Sequence, residues 1–500
     1  MAEYTTQLSA FEVRHLLRRT GFGAFPAEVA QLVGKTAGAI VDDLLDAATS
    51  ISLPAPPAWS LIPPLPRNAT QAQRNEYMVN NNNWREELQV QWIGHMGKNR
   101  LRERLTLFWH DHFVTSYLEY THSTYGYRYL NLLRSNALGN FKDLVHAIGI
   151  DAAMLIYLDG RINNGNAPNE NYARELLELF TMGPLDLSGA PNYTESDIQE
   201  IAKALSGWVL SYPTSWDVRF NYPSFDDGEK TFFGRTGEFG YDDVIAILFE
   251  EKRDQIADFI ASKLVSEFVY RDPDPVLIGS VASALKGSDF NIKPALRVLF
   301  TDALFFDPKV MGGRQKSPVE FCVGLVVGAN SLVDEVQADY MVGACAAIDQ
   351  TLLNPPNVAG WPGHRDWITT NTLATRWTIA DSIVRRYTDP SVFLSLAEFL
   401  TPTGSTHPSV DLALAIAEHM FALPLEWVEV PNIEEPFEGD LANRPLPDWL
   451  LNGPANQQNL VKIFLNGLPW YEWNVSLGGA ADRLTAYVIR LSQFPEYQLM

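Results

Sequence analysis

The sequence predicts a mainly α-helical protein, a large multi-helix single body with long irregular loops. Two observations favour this class: apolar residues recur with the period of a helix, and helix start and stop signals flank those stretches. A third is that no run alternates apolar and polar residues for long. At most a small β-hairpin region is expected near 211–240, where aromatic, Gly, Pro and Asp residues are concentrated.

Composition excludes several classes of protein. A hydrophobic content of 46% and 13 Trp in 500 residues suit a folded chain with a large core. The formal net charge of −22 repels phosphate backbones, so nucleic acid is not an expected partner. The two cysteines, in apolar helical contexts, are predicted to be buried thiols. Without a signal peptide or a bilayer-spanning run, the chain as given is expected to be cytoplasmic, with no membrane partner.

The helices are expected in a definite order along the chain. Residues Ser9 to Ser50 predict two or three helices, one of which starts at Pro26. A stiff Pro-rich connector is expected at 53–67, followed by a long helix. Because the composition changes after Asp389, two parts are predicted: a main helical domain at 1–390 and a C-terminal helical extension packed on it at 391–500.

The first predicted helix carries a basic cluster in an otherwise acidic chain. Its members are Arg14, Arg18 and Arg19. The cluster is either a solvated face or an ion-pair partner for an acidic helix further along the chain.

That acidic helix is predicted from Pro168 to Gly183, with both ends marked. Asn169 suits the N-cap position, and Gly183 followed by Pro184 indicates the end. One side of the helix is polar, with Glu170, Asn171, Arg174, Glu175 and Glu178. The first, third and fifth of these are spaced i, i+4, i+8 and form a row. Such a row is either a solvated ion-pair ladder or the wall of a polar site.

Two of the nine histidines fall in the string Trp109-His110-Asp111-His112. On a regular helix from Leu101, His112 lies on the apolar face and His110 lies about 160° away, so both cannot reach one metal ion. The simpler interpretation of His112 is a core histidine bonded to a backbone carbonyl. The metal hypothesis takes His110, His112 and Glu178 as ligands of a divalent ion, with Zn, Mn or Fe fitting better than Ca.

The loop from Gly360 to Trp367 combines aromatic and polar side chains. Aromatic rings beside polar groups suit a sugar or a planar ligand, and the alternative is that the Trp rings only pin the loop to the core. The predicted substrate-binding residues are Asn169, Asn171, Trp361, His364 and Arg365.

Six strings along the chain together indicate a family. They are Trp109 to Phe113, Pro168 to Gly183, Tyr193-Thr194-Glu195 leading to Ala204 to Trp208, Lys230 to Gly234, Lys316 to Glu320, and Pro355 to Gly363. In this order they resemble the bacterial domain-of-unknown-function family numbered 1800, from Phe11 to Tyr497. The resemblance implies a largely helical protein. The family is often encoded beside a sulfatase-like family, which makes such a protein an expected partner, and many members carry an export signal.

The chain departs from this family's pattern in two places. It lacks the leader, and Phe225-Asp226-Asp227-Gly228 stands where a His-Asp-Pro-Gly-like string is expected. The second departure removes a candidate ligand histidine.

Two hypotheses of function remain open. In the first, the protein is an enzyme that performs hydrolytic or metal-assisted chemistry on a small polar or carbohydrate-like substrate. The predicted catalytic residues are then Glu170 or Glu175 as general base, Arg174 as a clamp for an anion or carboxylate, and His112. In the second, it is a non-catalytic scaffold or partner protein, and the same residues form a buried ion-pair network that fixes helix packing.

Overall fold

The computed structural model describes residues 3–272, 274–430 and 446–500. In these residues the fold consists of 22 α-helices with two small antiparallel sheets, which confirms the mainly α class. Residues 431–445, which belong to the predicted extension, lie outside the described part.

The first part of the fold is arranged along one long helix. In chain order its helices are α1 (Ala10–Thr20), α2 (Pro26–Leu32), α3 (Ala37–Ser50), α4 (Gln71–His112), α5 (Tyr117–Tyr120), α6 (Ser123–Asn136), α7 (Phe141–Gly149), α8 (Ala152–Tyr157), α9 (Asn171–Glu175) and α10 (Glu195–Ala204). α2 begins at Pro26, as predicted. α4 is kinked at Arg100, whose φ is 22°. The segment after Arg100, which ends at His112, therefore runs in a different direction from the segment before it.

Two β-hairpins follow α10. β1 (Trp208–Leu210) pairs antiparallel with β2 (Val218–Phe220), and β3 (Lys230–Phe232) pairs antiparallel with β4 (Arg235–Gly237). The predicted hairpin region is therefore confirmed, with a start three residues earlier than 211.

The rest of the described chain is again helical. Its helices are α11 (Tyr241–Glu251), α12 (Arg253–Phe268), α13 (Pro275–Gly287), α14 (Ile292–Thr301), α15 (Pro318–Gly328), α16 (Glu335–Ala347), α17 (Thr370–Arg386), α18 (Pro390–Leu400), α19 (Pro408–Met420), α20 (Asp448–Leu451), α21 (Ala455–Leu465) and α22 (Ala480–Ser492). α15 begins with a capping box, in which Ser317 and Glu320 bond each other's backbone N–H groups.

The predicted single helix at 168–183 is shorter and has two parts. α9 covers Asn171–Glu175, and a π-helical turn continues it from Leu176 to Thr181. The helix is therefore present, but it changes from α to π at Leu176, and its N-cap residue is Glu170 instead of the predicted Asn169. The predicted end is confirmed, since Gly183 has a φ of 72°.

Buried apolar side chains form two clusters. The first runs from Leu8 to Met311 and fills the space between α1–α4, α6–α8 and α10–α14. The second contains residues of α15–α17 together with residues of α18–α22. The predicted extension therefore packs on helices that precede residue 390, and the division into two domains at that residue stays a prediction.

A helix that crosses a bilayer has to be both long and largely apolar. Within residues 3–272, 274–430 and 446–500, no helix combines the necessary length with sufficient apolar character.

Candidate functional site

A polar pocket lies where the end of α4 meets α12, the start of α15 and the loop that carries Trp361. Its polar lining consists of Arg104, Asp111, Glu267, Arg314, Ser317, Gln350 and His364, with Trp361 and Trp367 as aromatic walls. The hollow has a volume of about 40 Å³. It is therefore large enough for a few water molecules or for one reacting group, but not for a whole sugar. We call it the Asp111 pocket.

A second, larger pocket adjoins the first. It has a volume of about 230 Å³ and is lined by Tyr270, Arg271, Asp272, Gly313, Gln315, His364 and Arg365. His364 lines both pockets, so the two form one polar cleft. The Asp111 pocket is the inner end of this cleft, and Arg271 and Arg365 lie at its outer end.

The chemical interest of the inner end lies in the carboxyl group of Asp111. One of its oxygens accepts a hydrogen bond from the backbone N–H of Trp361, at 2.7 Å. The carboxyl keeps some surface toward the pocket, but protein surrounds it on the other sides. This desolvation raises the pKa of Asp111 to about 7, against the smaller opposing effects of the Trp361 hydrogen bond and the Lys263 charge. At neutral pH the group therefore exists in both protonation states.

Gly360 allows the loop to come this close to Asp111. Its φ is 89°, and a Cβ atom built on it would lie 2.6 Å from the backbone oxygen of Asp111. Any larger residue would therefore push the Trp361 N–H away from the carboxyl.

Four charged side chains form a closed ring beside Asp111. Arg104 and Arg314 each contact both Glu267 and Glu320, and the Arg314–Glu320 and Arg314–Glu267 distances are 2.7 and 2.8 Å. Glu320 is fully buried, and the two guanidinium groups overcome its desolvation and lower its pKa to about 2. Each charge in the ring has partners of the opposite sign, which is the condition under which buried ions are tolerated.

His110 and His112 point to opposite sides of α4, as predicted. The Nε2 of His112 donates to the backbone oxygen of Phe180 at 2.9 Å, which confirms the core-histidine interpretation. The Tyr129 hydroxyl donates to Phe113, so it accepts a hydrogen bond from Nδ1 of His110 at 2.9 Å. That tautomer leaves Nε2 of His110 as a buried acceptor, and it has no partner among the described residues.

The predicted metal ligands do not converge. In the described part of the chain, no group of three or more His, Cys, Asp or Glu side chains is placed to hold a metal ion. His110 and His112 diverge, and Glu178 instead accepts a hydrogen bond from Tyr193 at 3.1 Å. The three residues therefore do not fit a metal site, and metal binding stays a prediction.

The acidic row of α9 lies on the surface. Arg174 contacts Glu195 at 2.6 Å and Glu170 at 3.3 Å, and these three side chains are 38%, 59% and 37% exposed. Glu175 is half-buried, and desolvation raises its pKa. Glu170, Arg174 and Glu195 therefore form an exposed ion-pair ladder, in which Glu195 takes the place predicted for Glu178.

The two asparagines before this row have local bonds. The side-chain oxygen of Asn169 accepts from the backbone N–H of Asn171 at 2.9 Å, and the Asn171 amide donates to Leu158 at 3.4 Å. They act in starting α9, and neither lines the polar cleft.

The predicted site is therefore divided. The structure brings Trp361, His364 and Arg365 into one cleft beside the His110–His112 segment, and it does not bring Glu170, Arg174, Glu175 or Glu178 there. The expectation of a single hollow shared by all three segments was wrong. The π turn that follows α9 is connected to the histidine segment by the hydrogen bond from His112 to the backbone oxygen of Phe180.

The sequence did not indicate a role for the four Asp, Glu and Arg residues that line the Asp111 pocket. Two of them belong to a recognisable sequence pattern. Arg104 and Asp111 are spaced i, i+7 on one helix, and Leu107 and Phe108 lie between them on the same face. All four residues line the pocket. The other two, Glu267 and Arg314, lie in distant segments without a local motif.

Comparison with known proteins indicates a family. Residues 15–466 match the model of the family described as "Protein of unknown function (DUF1800)". No curated protein and no solved structure matches the chain. The match gives no information on a sulfatase-like neighbour, so that partner stays a prediction.

Proposed function

The chain belongs to the DUF1800 family, and from the geometry of its cleft we propose that it is an enzyme that uses Asp111 in general acid–base chemistry of a hydrolytic kind. The observation that carries this proposal is a carboxyl group with a pKa of about 7, placed at the inner end of an accessible polar cleft. A group of this pKa can both take up and release a proton near neutral pH, which is the requirement for acid–base catalysis. Perturbed carboxyl groups in clefts are also enriched at functional sites.

The shape and charge of the cleft suggest the kind of substrate. The inner hollow admits only a small group, so the rest of the substrate occupies the outer pocket. Arg271 and Arg365 line that outer pocket, and guanidinium groups bind carboxylates and phosphates in a bidentate manner. We therefore propose a small polar substrate with an anionic group held at the outer end.

His364 is a second titratable group in the cleft, and it lines both pockets. Its Nε2 lies 3.5 Å from the hydroxyl of Ser266, and burial lowers its pKa. A neutral imidazole is a base, so His364 can accept a proton while Asp111 donates one. In this proposal Asp111 transfers a proton at the reacting bond and His364 activates the attacking water.

The test compares two aspartate variants on a panel of chromogenic phosphate, sulfate, carboxylate and glycoside esters. Asp111→Asn should lower turnover of any substrate at least 100-fold, because general acid–base catalysis contributes about 10² to 10⁴. Asp151→Asn is the matched control. Asp151 is another buried carboxyl with a pKa raised to about 7, but it caps α8, where Asn also serves. Equal turnover in Asp111→Asn and the wild type would disprove the proposal.

The closed charge ring favours a second candidate function, the scaffold. Arg104, Arg314, Glu267 and Glu320 satisfy one another and join α4, α12 and α15. On this proposal the cluster fixes helix packing, and the protein acts by binding a partner, for which the sulfatase-like protein is the candidate. Such a protein would show no turnover on the panel, and a pull-down with the sulfatase-like protein would retain it.

A further inference from the structure

A further cavity, separate from the polar cleft, is lined by two buried basic side chains. It lies between α1, α15, α18, α19 and α22, and it has a volume of about 30 Å³. Arg18 and Lys316 both line it and are only 6% and 5% exposed. For Arg18 the sequence predicted a solvated face or an acidic partner, and both expectations were wrong, since its guanidinium donates to the backbone oxygens of His419 and Phe421.

No acidic side chain balances these charges at the cavity. Among its described lining residues there is no Asp or Glu. The charge of Glu320 acts on Lys316 from outside the cavity, but this carboxylate is paired with Arg104 and Arg314 in the ring described above. A buried cation without a counter-ion is costly, so the cavity is chemically incomplete as it stands.

A third donor group faces the same space. Tyr497 lines the cavity and is 3% exposed, and its hydroxyl has no hydrogen-bond partner among the described residues. The ammonium group of Lys316 lies 3.5 Å from the centre of the Tyr497 ring. Guanidinium, ammonium and hydroxyl groups thus surround the cavity from three chain segments.

His419 adds no charge to this set. Its Nε2–H donates to the backbone oxygen of Gly328 at 3.0 Å. Burial, with the nearby Arg18, lowers the pKa of His419 well below its usual value, so the ring is neutral. The rest of the wall is apolar and includes Phe22, Phe393 and Val488.

We propose that this cavity is a binding site for a small monocarboxylate, whose carboxylate lies between Arg18, Lys316 and the Tyr497 hydroxyl and whose short hydrocarbon chain contacts the apolar wall. The volume limits the ligand to roughly the size of acetate or propionate. A divalent anion is less suitable, because the apolar wall would leave part of its charge without a polar partner.

A bound carboxylate would also change the protonation of Lys316. Burial, with Arg18 beside it, lowers the pKa of this ammonium group well below its usual value. A bound carboxylate supplies the missing negative charge, so binding favours the protonated amine. Ligand binding and protonation of Lys316 are therefore coupled.

Thermal unfolding and titration calorimetry of the full chain with sodium propionate test the site. At 100 times its Kd, propionate should raise Tm by roughly 2 to 3 °C for a chain of this length. Equal concentrations of sodium chloride and of propionamide test the need for a carboxylate, and both should leave Tm unchanged.

Three variants make the test specific to the cavity. Lys316→Met keeps the length of the side chain and removes the buried charge, so it should fold well and lose the response to propionate. Tyr497→Phe should weaken binding by about two- to tenfold, the usual effect of one lost hydrogen bond. Tyr487→Phe is the matched control, because the Tyr487 hydroxyl already donates to Ala413 at 2.9 Å, and it should bind like the wild type.

Several results would overturn the assignment. A propionate response that persists in Lys316→Met would place the ligand elsewhere. An equal response to chloride would show a simple halide site, and no response to propionate would show that no carboxylate binds. Asp111→Asn should show the same rise in Tm with propionate as the wild type. The propionate test and the test of the polar cleft can therefore fail independently of each other.

Discussion

Replacing Asp111 by Asn should change the way in which stability depends on pH. Folding raises the pKa of this carboxyl from 3.8 to about 7, and each unit corresponds to about 1.36 kcal/mol. Because the pKa is raised on folding, the folded state holds the proton more tightly. This stabilisation is fully present below pH 3.8 and is lost as the pH rises through about 7.

The size of the effect follows from these two values. Over the whole pH range the free energy of unfolding of the wild type falls by on the order of 4 kcal/mol because of Asp111, and Asp111→Asn lacks this fall. Between pH 5 and pH 8 the fall is about 2.5 kcal/mol. Urea unfolding followed by circular dichroism at half-unit pH steps measures the difference between the two proteins. That difference should fall with a slope of about 1.36 kcal/mol per pH unit between pH 3.8 and about 7 and be flat outside this range.

Asp151→Asn supplies the control for this measurement. Asp151 has the same raised pKa of about 7 and keeps its capping function as Asn, so its variant should show a similar pH trend. If the Asp151→Asn trend is present and the Asp111→Asn difference is constant with pH, the Asp111 carboxyl is well solvated. The argument for acid–base chemistry at the cleft would then fail.

Three further substitutions test other parts of the structure. Glu320→Gln should lower the free energy of unfolding by about 3 to 5 kcal/mol, because two buried guanidinium groups lose an anionic partner. A loss below about 1 kcal/mol in urea unfolding would show that the four-residue ring does not stabilise the fold. Gly360→Ala should lower the urea midpoint more than Gly404→Ala: both glycines have positive φ, but only Gly360 is packed against Asp111. Arg174→Ala should lower the free energy of unfolding by less than about 1 kcal/mol and leave turnover unchanged, because the ion pairs of Arg174 are exposed. A large loss of turnover would show that α9 belongs to the active site.

Local signals predicted a large share of the fold. The start of α2 at Pro26 and the glycine end at Gly183 both follow from preferences of single residues for backbone conformations. The periodicity of α4 also placed His110 and His112 on opposite sides. These features depend on neighbours within about four residues, so a sequence contains enough information to predict them.

The candidate site was predicted only in part, because its parts are far apart in the chain. The sequence singled out the Trp361 loop and the histidine segment, and the structure places them together. It also singled out the Glu170 row, which forms an exposed ladder with Glu195 instead. A polar helix face has the same pattern whether it meets water or a pocket, so periodicity could not separate these outcomes.

The sequence by itself determined the helical class, a few helix ends such as those at Pro26 and Gly183, and the family, because each of these depends on short strings of residues. Only the tertiary structure decided which polar groups are buried together. It enclosed Arg104, Glu267, Arg314 and Glu320 beside Asp111, and it left Arg18 and Lys316 without an acid at the second cavity. The reason is that desolvation and charge pairing depend on distances across the whole fold, and these distances decide which carboxyl or ammonium group has an altered pKa.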